Sequence, residues 1–307
     1  MTAWASVPLR LLLSALALGT ACLPRRFELW AGPILGRLVL WLGLFKRKTV
    51  RDNIRRCFPE LDEAAWKTLI RRNFEHYGIL FFEFTHFFSP FPGHYRRYAL
   101  RNCSLEGLEN WERARVKGKG ILFVSCHIGF WEMVAAAAGL TGQPITIVTT
   151  VLKPAWLDRK ITECRLSTGV SAAYHPGSVP AVLRALRKGE AVAFMNDQYF
   201  RPPMGLPVRF FGVQVDTLAA VATLAQRTGA AILPGWGWRD ENGVMRVRIE
   251  PELEFGADLG DVVKTTQAIA SKVESWVRAR PEQWLWMHRR FKNVSWPADH
   301  KTPPSNN

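Results

Sequence analysis

One stretch of the sequence decides the fold, ILFVSCHIGFWE at residues 121–132. Its first four residues form an apolar run of the length of a buried strand, and the Ala-rich residues 133–140 after it predict a helix. His127 then lies at the end of the strand, and Glu132 lies at or near the first turn of the helix. An imidazole placed there can face solvent and a substrate, and a nearby carboxylate can fix its tautomer and stabilise its charged form. The stretch therefore predicts a pair that removes a proton from a hydroxyl.

Predicted strands and helices alternate through the rest of the chain. The strands are predicted at 121–125, 145–150, 191–195, 231–236 and 244–250, and the helices at 60–88, 131–140, 155–168, 179–188, 215–228 and 262–280. This alternation indicates an α/β fold in which helices cover both faces of a mainly parallel sheet. Sites in such sheets form at the carboxyl ends of strands, where His127 lies and where Asp197 follows another predicted strand.

The charge of the chain is unusual. The 307 residues include 41 Lys and Arg against 26 Asp and Glu, which gives a net charge of +15. Such an excess implies an anionic partner, which could be nucleic acid, an anionic membrane face or an acidic carrier. Basic and aromatic residues interleave over 284–292 and suit each of these partners. No helix-turn-helix, zinc-finger or RNA-binding signature accompanies them, so the sequence argues against nucleic acid.

The first 45 residues are the membrane candidate. Residues 11–23 carry no charge but are short for a spanning helix, which needs about 20 apolar residues. The next apolar run, 27–45, is broken by Glu28, Pro33 and Arg37, and a basic cluster follows it. That cluster indicates that the chain beyond it is cytoplasmic. We expect a retained anchor that spans the bilayer or lies in its interface, and a cleaved signal peptide is the alternative.

Other residues are candidates for binding. Asp197 belongs to a polar triplet after a strand, a pattern that fits either a site or a turn. Arg159 and Arg165 share a predicted helix and are either solvated or bind phosphate, for which a guanidinium is suited. The apolar segment 206–212 carries one cation and could be a lid or the lining of an acyl-chain site. The five cysteines contain no CxxC, so neither a disulfide framework nor a metal site is predicted.

A series of motifs runs through about residues 45–292. They are NIRRCFPE at 53–60, NF at 73–74, LEGLEN at 105–110, SCHIGFWE at 125–132, KGE at 188–190, DQ at 197–198, PVRFFG at 207–212, TGAAILP at 228–234 and PEQWLWMHRRFK at 281–292. Through these motifs the sequence resembles the lipid A biosynthesis late acyltransferases, the lauroyl and myristoyl acyltransferase family of Gram-negative bacteria.

The resemblance implies a fold of the glycerolipid acyltransferase type, with residues 1–45 as an inner-membrane anchor, 46–296 as the acyltransferase domain on the cytoplasmic face and 297–307 as a polar tail. It implies acyl carrier protein as the donor and a hydroxyl of a phosphorylated glucosamine disaccharide lipid as the acceptor. His127 and Glu132 match the catalytic pair of the family. Arg165 and Asp197 match positions that the family keeps polar near the site.

These observations converge on one mechanism. Glu132 orients His127, which takes the proton of the acceptor hydroxyl as that oxygen attacks the thioester. Backbone N–H groups near Gly129 are the expected oxyanion donors, and Arg159, Arg165, Asp197 and Gly129 are the expected substrate-binding residues. No metal and no cofactor is required.

Three alternatives to this mechanism stay open. One is an acyl-enzyme intermediate on Cys126. Another is the same chemistry on a different glycolipid or an aminolipid. The third is a basic membrane-binding protein without catalysis.

Overall fold

The structure is a computed structural model that describes residues 7–255 and 260–297. A seven-stranded sheet lies at its centre. The strands are β1 (Cys103–Glu106), β2 (Ile121–Ser125), β3 (Ile145–Thr150), β4 (Val170–His175), β5 (Ala191–Met195), β6 (Gly205–Phe210), β7 (Val213–Leu218), β8 (Ala231–Arg239) and β9 (Met245–Ile249). The sheet has the order β1-β9-β8-β2-β5-β3-β4, and β6 pairs with β7 as a separate antiparallel hairpin. All neighbours in the sheet are parallel except β8 and β9. The predicted α/β fold with a mainly parallel sheet is confirmed.

Helices cover both faces of this sheet. They are α1 (Val7–Cys22), α2 (Arg25–Trp41), α3 (Arg47–Cys57), α4 (Glu63–Thr85), α5 (His94–Asn102), α6 (Leu108–Val116), α7 (Trp131–Leu140), α8 (Ala155–Ser167), α9 (Val179–Arg187), α10 (Ala220–Thr228) and α11 (Val262–Ala279), with 3₁₀ turns at His86–Phe88 and Pro281–Gln283. Ile121 and Phe123 of β2 pack with α6 and α7, whereas Leu122 and Val124 pack with α9, α10 and α11. Because helices cover both faces, β2 is apolar at successive positions rather than at alternate ones.

The segment between β5 and α10 departs from its prediction. The predicted helix over 215–228 is wrong in its first part, because residues 213–218 form β7, whose side chains alternate between buried and more exposed positions. Phe211 and Gly212 have φ angles of 49° and 77° and join β6 to β7 in a two-residue turn, where Gly is favoured. Phe210 and Phe211 are buried and belong to a core cluster that also contains residues of α11. The segment 206–212 is therefore a packed hairpin and not a lid.

Helix α2 packs closely against α4. A Cβ atom on Gly36 would lie 2.0 Å from the carbonyl oxygen of Phe74, and one on Gly78 would lie 1.9 Å from the carbonyl oxygen of Gly32. No side chain fits at these positions, so the two helices touch backbone to backbone.

A buried ionic network joins α2 to α4 and β8. Arg25 donates to Glu28 and to Glu83, both at 2.5 Å, and Arg239 at the end of β8 donates to Glu83 at 3.0 Å. Burial alone would raise the pKa of Glu83, but the charges of Arg239 and Arg25 and their hydrogen bonds lower it from 4.5 to about 2. The carboxylate is thus held ionised between two arginines, and α2 is fixed to the sheet.

The predicted membrane anchor is only partly covered by the structure. Residues 1–6 of the anchor and 298–307 of the predicted tail lie outside the described residues. In the part of the chain that is described, no helix has both the length and the apolar character needed to cross a membrane. The expected N-terminal anchoring helix therefore finds no support as a spanning element, and the domain boundaries after residues 45 and 296 stay predictions.

Candidate active site

His127 and Asp197 meet at the carboxyl edge of the sheet. Strands β2 and β5 are neighbours, with Ser125 opposite Met195, so the residues two positions further on lie side by side. The Nδ1 atom of His127 lies 2.8 Å from Oδ1 of Asp197, and the backbone N–H of His127 donates to Oδ2 at 2.8 Å. The side chain of His127 is 15% exposed, so its ring is within reach of a substrate.

Asp197 is a buried carboxylate with three hydrogen bonds. Besides the two from His127, it accepts one from the indole N–H of Trp284 at 2.8 Å. Burial alone would raise the pKa of Asp197, but the charge of His127 and hydrogen bonds from His127 and Trp284 lower it from 3.8 to about 2. Asp197 therefore stays ionised at neutral pH and fixes the proton of His127 on Nδ1, which leaves Nε2 free to accept a proton.

Glu132 does not make the contact with His127 that the sequence predicted. Its carboxylate accepts hydrogen bonds from Arg165 of α8, at 2.9 Å from Nε and 2.7 Å from Nη2. Glu132 lies in the first turn of α7, and both side chains of the pair are 8% exposed. The carboxylate that contacts the imidazole is that of Asp197, and Arg165 is engaged with Glu132 rather than free for a phosphate.

Position 129 requires a glycine, because the backbone there lies close against the sheet. It has a φ angle of +61°, and a Cβ atom there would lie 3.0 Å from the carbonyl oxygen of Gly237 in β8. Its N–H donates to the carbonyl of Gln283 at 3.2 Å. Gly129 thus lies close to β8, and its N–H is not available as the expected oxyanion donor.

The C-terminal strap, which we define as residues 281–292, fixes the loop that carries His127. The N–H of Leu285 donates to the carbonyl of His127 at 3.1 Å, next to the bond between Gly129 and Gln283. The backbone on both sides of the imidazole is therefore held by the strap.

Two buried asparagines hold the strap in turn. The amide of Asn73 donates to the carbonyls of Glu282 and Trp284, both at 2.9 Å. The amide of Asn53 donates to the carbonyl of Trp286 at 2.9 Å. The sequence alone predicts no role for these asparagines, although both belong to the motifs of the resemblance.

The strap also differs from its predicted role as a binding surface. Trp284, Trp286 and Arg290 are 2%, 0% and 1% exposed, so these residues support the site from inside. Arg289 and Lys292 are its exposed cations. The prediction that this segment forms a binding surface is therefore wrong for these three buried side chains.

Two predicted residues remain, Arg159 at the surface and Cys126 in the interior. Arg159 is exposed on α8, where it is open to an anionic group. Cys126 is 1% exposed, and burial together with the charge of Asp197 raises the pKa of its thiol well above its usual value. Because the thiolate is the nucleophilic form, this environment argues against an acyl-enzyme on Cys126.

The fold and the site together define a class of protein. It is an α/β protein in which a histidine at the carboxyl edge of the sheet is oriented by a buried carboxylate, an arrangement suited to general base catalysis on a hydroxyl.

Similarity to known proteins identifies the family. The profile described as bacterial lipid A biosynthesis acyltransferase matches residues 6–293. The chain is 30% identical over 263 residues to the lipid A biosynthesis lauroyltransferase of Escherichia coli, covering 84% of this chain and 83% of that protein. It is 28% identical over 295 residues to the lipid A biosynthesis palmitoleoyltransferase of Escherichia coli, covering 88% and 92%. It is also 29% identical over 171 residues to the phosphatidylinositol mannoside acyltransferase of Mycolicibacterium smegmatis, covering 54% and 55%. The chain belongs to the bacterial lipid A biosynthesis acyltransferase family and is an acyltransferase, which confirms the resemblance seen in its motifs.

Proposed function

We propose that this acyltransferase moves a fatty acyl chain from acyl carrier protein to a hydroxyl of a lipid A precursor, with His127 as general base and Asp197 as the residue that orients it. The observation that carries the mechanism is the 2.8 Å contact between Nδ1 of His127 and Asp197. This contact leaves Nε2 as the atom that accepts the hydroxyl proton. General base assistance of this kind contributes about 10²- to 10⁴-fold in rate.

The transfer proceeds in two steps on these residues. The acceptor oxygen forms a bond to the thioester carbonyl carbon while Nε2 of His127 takes its proton, and the carbonyl electron pair moves to oxygen. The tetrahedral intermediate then collapses, the carbon–sulfur bond breaks, and the imidazolium of His127 returns the proton to the departing thiolate. Asp197 stabilises the imidazolium between the two steps, as the carboxylate of a catalytic triad does.

Charge and relatives support the proposed substrates. The net charge of +15 suits an acidic carrier protein and a phosphorylated acceptor. Exposed cations such as Arg159 and Lys292 are available for these anions. The lauroyltransferase and palmitoleoyltransferase of Escherichia coli are named for lipid A biosynthesis.

A second acceptor class is the main alternative. The named activity of the similar enzyme of Mycolicibacterium smegmatis is acylation of phosphatidylinositol mannoside. This relative favours a chemistry shared across glycolipid acceptors, with the acceptor chosen by residues around the histidine. A non-catalytic binding role is disfavoured, because mere binding does not require an oriented histidine with a buried carboxylate.

The test is a transfer assay with the purified full-length chain. We expect acyl carrier protein loaded with a saturated fatty acid, plus a lipid A precursor, to give a product heavier by one acyl group in mass spectrometry. His127→Ala should remove this product. Transfer by the unaltered chain to another glycolipid, and not to the precursor, would move the proposal to that acceptor. An unchanged yield from His127→Ala would refute the mechanism.

We further propose that the enzyme lies on the cytoplasmic face of the bacterial inner membrane through the outer face of α2. Trp30, Ile34, Leu38 and Trp41 are 65%, 45%, 49% and 77% exposed, and their spacing places them on one side of the helix. The other side of α2 packs on α4. A run of exposed cations begins at Lys46, directly beyond this apolar stripe, and suits anionic lipid headgroups.

A double substitution on this stripe should release the protein from lipid. Trp30→Glu with Trp41→Glu removes two large apolar groups and adds two anions, so we expect binding to phosphatidylglycerol-containing vesicles to fall about tenfold or more. Sedimentation with vesicles measures the effect, and vesicles of phosphatidylcholine alone show the contribution of charge. Val116→Glu is the matched control, because Val116 is 78% exposed on α6, away from the stripe. Equal binding by the double variant and the control would contradict this orientation.

A further inference from the structure

The tetrahedral intermediate needs a hydrogen-bond donor for its oxyanion, and the backbone N–H groups of residues 127–129 are already engaged. The N–H of His127 donates to Asp197, that of Ile128 to the carbonyl of Cys126 at 3.0 Å, and that of Gly129 to Gln283. A group that stabilises developing charge must be free to donate when the charge appears. A side chain beside the imidazole is therefore the next candidate for this donor.

The side-chain amide of Gln198 lies beside the base and makes only long contacts with it. Its Nε2 atom is 3.5 Å from both Nδ1 and Nε2 of His127. The proton on Nδ1 of His127 goes to Asp197, so Nε2 is the ring atom that can accept from this amide, and at 3.5 Å that contact is at the outer limit of a hydrogen bond. Within the described residues the Gln198 side chain makes no closer hydrogen bond.

The backbone of Gln198 is held firmly beside the base. Arg290 of the strap donates to the carbonyl of Gln198 at 2.6 Å and to the carbonyl of Asp216 at 3.0 Å. Arg290 is 1% exposed and also donates to the hydroxyl of Thr217 at 2.5 Å. Asp197 is fixed on the other side of Gln198 by its own hydrogen bonds. The side chain of Gln198 therefore starts from a fixed backbone position beside the imidazole, which favours a donor that is in place before the oxyanion forms.

We propose that Gln198 is a catalytic residue whose amide donates a hydrogen bond to the oxyanion formed on the thioester carbonyl. This role rests on the proposed acyl transfer and extends it. As Nε2 of His127 takes the hydroxyl proton, the carbonyl electron pair moves to oxygen beside the amide of Gln198. When the electron pair returns and the thiolate leaves, the hydrogen bond weakens again. The amide thus binds the intermediate more strongly than the substrate, which is what accelerates the reaction.

Two variants test this role with the full-length chain in the transfer assay. Gln198→Ala should lower kcat by about 10²- to 10³-fold, the effect of removing one oxyanion donor. KM for the acyl carrier protein should change little, and the pH at which kcat is half-maximal should stay the same. Gln198→Glu should be slower still, because its carboxylate repels the oxyanion. Gln214→Ala is the matched control, because Gln214 is exposed on β7, and it should leave the rate unchanged.

Each other outcome overturns the role of Gln198. A kcat of Gln198→Ala within about threefold of the unaltered chain would show that another group binds the oxyanion. A raised KM with unchanged kcat would make Gln198 a substrate-binding residue. A displaced pH profile would show that it acts by positioning His127. These results all require transfer by the unaltered chain, so a chain without any transfer activity would refute the proposed function itself.

Discussion

Asp197→Asn is expected to lower kcat by about 10³- to 10⁴-fold while leaving the fold intact. The substituted side chain has the same shape and can keep most of the buried hydrogen bonds. A carboxylate in this relation to a catalytic histidine has an effect of about 10⁴-fold when it is replaced by an amide. The measurement is single-turnover transfer of the acyl group, with the melting temperature of the variant recorded beside it.

The physical reason lies in the orientation that the new amide must adopt. Oδ2 of Asp197 accepts hydrogen bonds from two donors, the backbone N–H of His127 and the indole N–H of Trp284. In the Asp197→Asn variant the amide oxygen has to take this position, because an amide NH₂ cannot accept from either donor. The NH₂ group of the new side chain then faces Nδ1 of His127 and donates to it. The proton of the imidazole is thereby moved to Nε2, the atom that should accept the hydroxyl proton.

A matched substitution separates this effect from a general loss of charge. Asp216→Asn makes the same chemical change on β7, where Asp216 contacts Arg290 through its backbone carbonyl. We expect it to retain nearly full activity. If Asp197→Asn were as active as Asp216→Asn, the tautomer of His127 would not depend on Asp197 and the assignment of the orienting residue would be wrong.

The sequence predicts Glu132 as the carboxylate beside His127, whereas the structure places Asp197 there. Glu132 is five residues from His127 along the chain, and Asp197 is seventy residues away. The order of strands in the sheet brings Asp197 to His127, because β5 pairs with β2 in a register that aligns Ser125 with Met195. Alternating strands and helices predict a parallel sheet but not which strands are neighbours. The contact between the two residues therefore could not be read from spacing.

The hairpin β6–β7 shows a second limit of the sequence. Its two strands are short, and only one residue separates the end of β7 from the start of α10. The apolar pattern over 215–228 therefore predicts one helix where the structure has the end of a strand and a helix. The signal for the hairpin is Phe211-Gly212, a turn with positive φ at both residues.

The strap shows a third limit of the sequence. A row of tryptophans and arginines is as typical of a buried supporting segment as it is of a binding surface.

The second large effect concerns stability. Arg165→Met is expected to lower the free energy of unfolding by about 3–5 kcal/mol, because it leaves the buried carboxylate of Glu132 without a partner. Burial alone would lower the pKa of Arg165, but the hydrogen bonds and charge of Glu132 raise it. Urea unfolding measures the loss. Lys160→Met is the control on the same helix, because Lys160 pairs with Glu163 at the surface, where such a pair contributes about 0–1 kcal/mol.

A double variant then separates the two possible roles of Glu132. Glu132→Leu with Arg165→Met replaces the ion pair by apolar groups of similar volume, and we expect it to recover most of the stability that either single variant loses. A folded double variant with the normal pH profile of kcat would mean that the pair only joins α7 to α8 behind the base. A double variant that is equally stable but inactive would place Glu132 among the groups that touch the substrate, with Arg165 as its partner. Because the double variant is stable in either outcome, a loss of activity could not be attributed to unfolding. The value of kcat alone would then decide whether Glu132 has a catalytic role.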